Sequence, residues 1–240
     1  RWYTGSGIYR DVYVVRTPPV HIAPWGVFAR GEGVTREQAG LRVSTQVRNA
    51  GDREATVVVT HELFAPGGSR AANATATMRV PAGETAEAES LLAVRTPRLW
   101  SVDDPQLYEL HTTVHRDGQP VDATRTRTGF RAFDFHPDRG FLLNGVPMKM
   151  KGVCLHHDAG VLGAAVPREI WRARLATLRA IGCNAIRTSH NPQAPYLYDL
   201  CDELGLLVLN EAFDEWEFPK RKWLRGWNVG EPGFEGSFDF

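Results

Sequence analysis

Cysteine is scarce: three residues, Cys154, Cys183 and Cys201, occur in 240 positions, an odd number without the spacing of a thiolate metal site. All three fall in strand and helix patterns of the C-terminal part, so buried free thiols are expected. A nucleophilic Cys154 beside His156 or His190 is the alternative, disfavoured because Cys154 sits inside an apolar strand pattern. Net charge is also absent, since Lys+Arg and Asp+Glu are equal at 28, and no overall field recruits nucleic acid or an anionic membrane. No apolar run approaches the roughly 20 residues that span a bilayer, so no membrane partner is expected. The opening RWYTGSGIYRD lacks the charged-then-apolar architecture of a signal peptide; for a chain that begins inside a longer protein this says nothing about export, and localisation is unknown.

What is present is the profile of a globular protein, 42% hydrophobic and 23% charged, long enough for one large or two ordinary domains. Near the N-terminus Tyr9, Asp11, Tyr13 and Val15 alternate with Arg10, Val12 and Val14, the pattern of a strand, and ThrProPro at 17–19 follows as a linker. From Val20 to Arg131 the period is two almost throughout. Leu41, Val43, Thr45 and Val47 alternate with Arg42, Ser44, Gln46 and Arg48, and AsnAlaGlyAsp at 49–52 turns the chain into the β-branched run Thr56–Thr60. ProGlyGly at 66–68, ProAlaGly at 81–83 and AspGly at 117–118 punctuate further runs. Such spacing predicts an antiparallel, immunoglobulin-like sandwich of about seven strands. It contains no Cys, so the antibody-type disulfide is absent, and its His21, His61, His111 and His115 are dispersed, as surface or strand-edge histidines would be. AsnGly at 144–145, between apolar runs, signals a hairpin.

Between Met148 and Trp216 the pattern changes. KMKGVCLHHD, CNAIRTSHNP and LLVLNEAFDEW are short apolar runs that each end in ionisable residues. One intervening segment opens at Pro167 as a helix N1 residue, places Trp171, Leu175 and Leu178 on one face and stops at Gly182. The other opens at Ala194-Pro195, aligns Leu197, Leu200, Cys201 and Leu204 and stops at Gly205. Strand, helix, strand, helix, strand reads as a parallel α/β sheet, whose chemistry gathers at the carboxyl ends of its strands. His156, His157, His190 and Glu211 therefore share one rim.

These blocks, with LCDELGLLVLNEAFDEW and the N-terminal RWYTGSGIYRDVYV, resemble glycoside hydrolase family 2, and its bacterial β-galactosidase-like members above all. The resemblance implies a sugar-binding jelly roll, an immunoglobulin-like sandwich and a TIM (β/α)8 barrel in that order. On that basis residues 1–16 are the last strand of the jelly roll, 17–132 the sandwich and 133–240 the N-terminal part of an incomplete barrel. An open parallel sheet of this kind exposes an edge and an apolar face, so this portion is expected to be unstable alone.

By the same resemblance the parent is a retaining exo-β-glycosidase, most readily a β-galactosidase acting on terminal β-galactosides in carbohydrate metabolism. Retention requires a nucleophile and an acid/base carboxylate about 5–5.5 Å apart. In the family these follow barrel strands seven and four, so no catalytic residue is assigned here and the chain is expected to be inactive by itself. Asn210-Glu211 imitates the acid/base dipeptide but ends the third strand. The resemblance assigns substrate binding to His156 and His190, through galactose hydroxyls, with Arg187 in support and Glu211 on the same rim; His157 faces the other way, since neighbours on a strand alternate. It implies a carbohydrate substrate, a homo-oligomer for the full-length enzyme, no nucleic-acid or membrane partner and no cofactor. The magnesium that some members hold through Glu-x-His meets Glu215-Trp216-Glu217 instead, a solvated acidic loop in the favoured reading. Trp223 and Trp227, in a Gly-rich tail expected to loop over the site mouth, are candidates to stack on a sugar or to pack in the core. Two other readings stay open: a non-catalytic carbohydrate-binding or interaction module, and a β-glucuronidase fragment, which would share the ArgThrSerHis motif but tend to HisGluAsp where this chain has HisHisAsp.

Overall fold

The structure, a computed structural model, describes residues 7–212 together with the paired two-residue strands Trp223–Leu224 and Trp227–Asn228. The expectations for Glu215 and Glu217, and for the side chains of Trp223 and Trp227, lie outside the described residues. The described chain forms two compact units. One is Asp11–Met150 with Asp202–Gly205; the other contains the segment ending at Arg10, Lys151–Cys201 and the residues from Leu206 onward.

The first unit begins with seven strands: β1 (Val20–Glu32), β2 (Gln38–Asn49), β3 (Ala55–Phe64), β4 (Arg70–Val80), β5 (Thr85–Arg95), β6 (Tyr108–Arg116) and β7 (Gln119–Thr128). They pair antiparallel as two sheets, β1-β2-β5 and β4-β3-β6-β7, an immunoglobulin-like sandwich. The period-two pattern becomes the core directly. Leu41, Val43 and Val47 of β2 face Val57, Val59 and Leu63 of β3 and Leu110 and Val114 of β6, and all are buried. At the turn between β6 and β7, Asp117 and Gly118 both take positive φ, 52° and 76°, as the AspGly signal requires of a two-residue hairpin turn. In β1 the register jumps from Ile22 opposite Val47 to Val27 opposite Thr45, so Ala23–Gly26 bulge out. Pro24, which has no N–H to give a ladder, sits in that bulge beside an exposed Trp25.

After the sandwich, β8 (Phe133–His136), β9 (Gly140–Leu143) and β10 (Val146–Pro147) form a small antiparallel sheet. Its Asn144-Gly145 turn has φ of 52° and 78°, and the Asn144 side chain accepts from the Ala132 N–H and donates to the Trp100 carbonyl, each at 3.0 Å.

Two expectations need correction in this unit. The strand read from Tyr9 to Val15 does not form: residues 11–18 make no ladder, and Val12, Tyr13, Val14 and Val15 are exposed. Alternation marks a segment able to pair, but a strand exists only where a neighbour supplies hydrogen bonds. His61 is neither a surface nor an edge histidine; it is 1% exposed at the centre of the sandwich. Its Nε2 lies 3.4 Å from Thr45 Oγ1 on the facing sheet and its Nδ1 3.0 Å from Thr112 Oγ1 on the neighbouring strand, both threonines fully buried. A neutral imidazole can donate on one edge and accept on the other, so two hydroxyls satisfy it without charge.

The second unit holds β11 (Gly152–Leu155), α1 (Arg168–Ala180), β12 (Ala185–Thr188), the part of α2 (Pro195–Leu204) up to Cys201, and β13 (Leu207–Asn210). The three strands are parallel in the order β11-β12-β13. Trp171 and Leu175 of α1 and Leu197, Leu200 and Cys201 of α2 are the buried stripes that the spacing predicted. Pro167 stands one residue earlier than expected, as N-cap with extended ψ of 155°. Gly182, at φ 93°, ends α1 by donating to the Arg179 carbonyl while Cys183 reaches back to Leu178. Together the units are an immunoglobulin-like sandwich followed by an incomplete β/α barrel.

Burial lowers the His61 pKa from 6.5 to about 4. The folded state thus resists a proton that the unfolded state accepts, so this contribution to stability is full above pH 6.5 and lost as pH falls from there towards 4. The gap corresponds to on the order of 3 kcal/mol. A polypeptide of residues 20–131 should melt cooperatively and lose stability in urea titrations across that window. His61→Gln, which does not titrate, should show a flatter pH dependence; equal slopes for both proteins would remove His61 from this role.

Candidate functional site

The parallel ladder sets the site. Leu155 pairs with Thr188 and Thr188 with Asn210, so the next residues of all three strands leave the sheet at the same end. Those residues are His156 and His157 after β11, Ser189 and His190 after β12, and Glu211 after β13. One register earlier, Cys154, Arg187 and Leu209 align on a single face, with Leu209 66% exposed.

Three of the rim residues singled out in the sequence, His156, His190 and Glu211, come together with Arg187. Arg187 donates from Nε to Glu211 Oε1 at 2.6 Å, and a second guanidinium nitrogen donates to the same oxygen. The other carboxylate oxygen, Oε2, meets His190 Nδ1 at 2.9 Å. The His190 ring stands edge-on to that of His156, centroids 5.2 Å apart and planes at 68°. Side-chain exposure of 20% for Glu211 and 22% for His190 leaves the cluster reachable from solvent. Desolvation is the largest single influence on Glu211 and pushes its carboxyl up, but donation from Arg187 and then His190 outweighs it and holds the pKa below the usual carboxylate value. The carboxylate is therefore an anion that only accepts.

His157 behaves differently from its neighbour. It is buried, its Nδ1 lies 3.5 Å from Asn191 Nδ2, and its ring stacks at 6.0 Å on Tyr9. In the same unit Arg10 donates to the Pro192 carbonyl at 2.6 Å, so Tyr9 and Arg10 sit against the loop that carries His190.

Cys154 departs from the expected buried thiol. Cys183 and Cys201 are buried, but Cys154 is exposed on the face it shares with Arg187. A hydrogen bond from Arg187, 3.4 Å from Sγ, is the chief cause that pulls its thiol pKa down. An apolar sequence pattern cannot report which face of a strand is covered.

Other groups had no role in the sequence reading. Thr188 Oγ1 donates to Asn210 Oδ1 at 2.9 Å and accepts from the Glu211 N–H at 2.9 Å. Tyr198 on α2 donates to the same Asn210 oxygen at 2.8 Å. The signal for Tyr198 was its hydroxyl one position from an apolar stripe; the register that aims it at Asn210 is a property of the packed sheet. Among the described residues, no group of three or more His, Cys, Asp or Glu side chains could hold a metal ion, and no helix is long and apolar enough to cross a membrane.

The cluster can hold and orient a polyhydroxylated ligand through imidazole edges backed by a fixed anion. Comparison with known proteins places the chain in a family. The model of glycosyl hydrolases family 2 matches residues 20–131, and that of the family's TIM barrel domain matches residues 137–217. The chain is 41% identical over 220 residues to beta-galactosidase BoGH2A of Bacteroides ovatus, covering 92% of this chain and 26% of that protein. To a beta-glucuronidase of Bacteroides fragilis it is 32% identical over 213 residues, covering 86% and 30%. Among solved structures it is similar to a beta-glycosidase from Bacteroides vulgatus, with 42% identity, TM-score 0.78 and coverage of 91% of this chain and 27% of that one. The likeness to Bacteroides uniformis beta-glucuronidase has 34% identity, TM-score 0.80 and coverage of 84% and 25%. The chain thus spans between a quarter and a third of these proteins. Because the two family models account for the sandwich and the parallel strands in the order in which they occur, the chain belongs to glycosyl hydrolase family 2.

Proposed function

We propose that this chain is part of a retaining exo-β-glycosidase that acts on terminal β-galactosides, and that His156 and His190 hydrogen-bond the hydroxyls of the bound sugar. The observation that carries the reading is the Arg187–Glu211–His190 cluster at the carboxyl ends of parallel strands. A carboxylate that accepts from Nδ1 fixes the proton there, which makes Nε2 of His190 the acceptor edge for a hydroxyl. Glu211 and Arg187 hold that geometry, and His156 supplies the second imidazole 5.2 Å away. The nucleophile and acid/base carboxylates are assigned to parts of the enzyme outside this chain.

A galactoside is favoured over a glucuronide on charge. A sugar carboxylate seeks a cation to pair with, and the guanidinium in this cluster is already matched by Glu211. The β-glucuronidase reading stands second, supported by relatives of that name at 34% and 32% identity.

In the parent enzyme, His156→Ala and His190→Ala should each lower kcat/KM on a β-galactoside by about one to two decades, the cost of a lost hydrogen bond to a buried polar group. His157→Ala should cost much less. Steady-state kinetics on chromogenic galactoside and glucuronide, with a melting curve for each variant, makes the measurement. Small, equal effects for all three would withdraw the sugar-contact role, and a higher kcat/KM on the glucuronide would replace the substrate. The 240-residue polypeptide, purified from a host deleted for its own β-galactosidase, should turn over no galactoside; measurable turnover would assign a catalytic role to Glu211 or Glu215.

A further inference from the structure

Glu211 is the first residue beyond the last ladder pair of β13, yet its carboxylate decides where two other side chains point. What holds it is a chain of hydrogen bonds reaching α2. The Glu211 N–H donates to Thr188 Oγ1, the Thr188 hydroxyl donates to Asn210 Oδ1, and the Tyr198 hydroxyl donates to that same oxygen, at 2.9, 2.9 and 2.8 Å. Tyr198 in turn accepts from the N–H of Gln193, a 4% exposed residue three positions past His190, at 2.9 Å. Each hydroxyl spends its one proton on Asn210 and its lone pair on a backbone N–H, so the direction of every bond is determined. Both strand ends that carry the cluster, His190 with its loop and Glu211, are therefore tied to one phenol.

We propose that Tyr198 is a positioning residue for the sugar site, acting through Asn210 and Glu211 to fix the orientation and tautomer of His190. The proposal rests on the function assigned above only for the word sugar; the geometry is independent of it. Removal of the hydroxyl takes one of two donors from Asn210 Oδ1 and the acceptor from Gln193 N–H, which frees both flanks of the His190–Glu211 bond at once. An ionised carboxylate can only accept, so Nδ1 must be the protonated nitrogen while that bond lasts. Free imidazole side chains in water favour the Nε2–H form, so the Nδ1–H form of His190 is imposed by its partner and reports on it.

The test is long-range proton–nitrogen NMR on the parent enzyme labelled at histidine, near pH 8.5, above the ordinary histidine range. In the wild type, His190 should show a protonated Nδ1 and an unprotonated Nε2. Tyr198→Phe keeps the ring and should fold; it should move both nitrogens towards averaged shifts, with roughly half of the Nδ1–H population lost if the imposed preference falls to near parity. Glu211→Gln, which replaces the obligate acceptor with an amide, sets the scale of that averaging. A wild-type His190 in the Nε2–H form, or a Tyr198→Phe protein that melts earlier with the His190 tautomer unchanged, would overturn the proposal and leave Tyr198 a structural tie. Titration of the wild type with galactose separates the two readings. A tautomer that responds to Tyr198→Phe without any galactose-induced shift would keep the positioning network and remove the sugar, and the reverse pair of results would keep the sugar and remove the network.

Discussion

The register of the parallel sheet is the constraint from which the site follows. Because Leu155, Thr188 and Asn210 lie side by side, the residues that come next converge, although they are separated in sequence by more than 20 positions at each step. Side chains alternate along a strand, so a slip of one residue in β12 would turn Arg187 towards the helices and Ile186, now 1% exposed, towards the open face. The helices hold that register. Leu175 and Leu200 are fully buried stripe residues, and Gly182 and Gly205, at φ 93° and 72°, end the helices where the next strand must begin.

Two histidines show how one side chain is set to different tasks by its partners. His61 is surrounded by apolar residues and two threonine hydroxyls, with no anion in contact, so desolvation alone governs it and keeps it neutral. Its role is to satisfy polar groups where two sheets meet. His190 lies beside the Glu211 carboxylate near solvent, where the partner dictates which nitrogen carries the proton. The first arrangement contributes to folding, and the second orients a surface that is open to a ligand.

Much of the scaffold was readable because it is written in periods. Alternation located the sandwich strands, helical spacing located both buried stripes, and AsnGly and AspGly located two hairpin turns. The grouping of His156, His190 and Glu211 was readable too, since a parallel sheet sends every strand end to one side. The failures share a cause, which is that they depend on neighbours. Tyr9 to Val15 alternates without a strand to pair with, Cys154 lies on an apolar strand whose face is open, and His61 is buried because both sheets close over it. The Thr188–Asn210–Tyr198 network was hidden for the same reason. Its members are ordinary strand and helix residues until the register sets two hydroxyls around one amide oxygen.

A relative named beta-galactosidase and one named beta-glucuronidase are similar to this chain over 92% and 86% of its length, so the sandwich and the parallel strands do not by themselves separate proteins of the two names. The two sugars differ in charge at one substituent, and a difference of charge is read by unbalanced cations rather than by a scaffold. Within the cluster described here the guanidinium of Arg187 is bound by Glu211 through two nitrogens, which satisfies its charge before any ligand arrives. A ligand carboxylate would have to compete with Glu211 for it, and the two anions would repel at close range. A neutral sugar meets no such penalty and needs only the donor and acceptor edges of the imidazoles. In the function proposed above, the balance of charge around Glu211 therefore favours the neutral sugar.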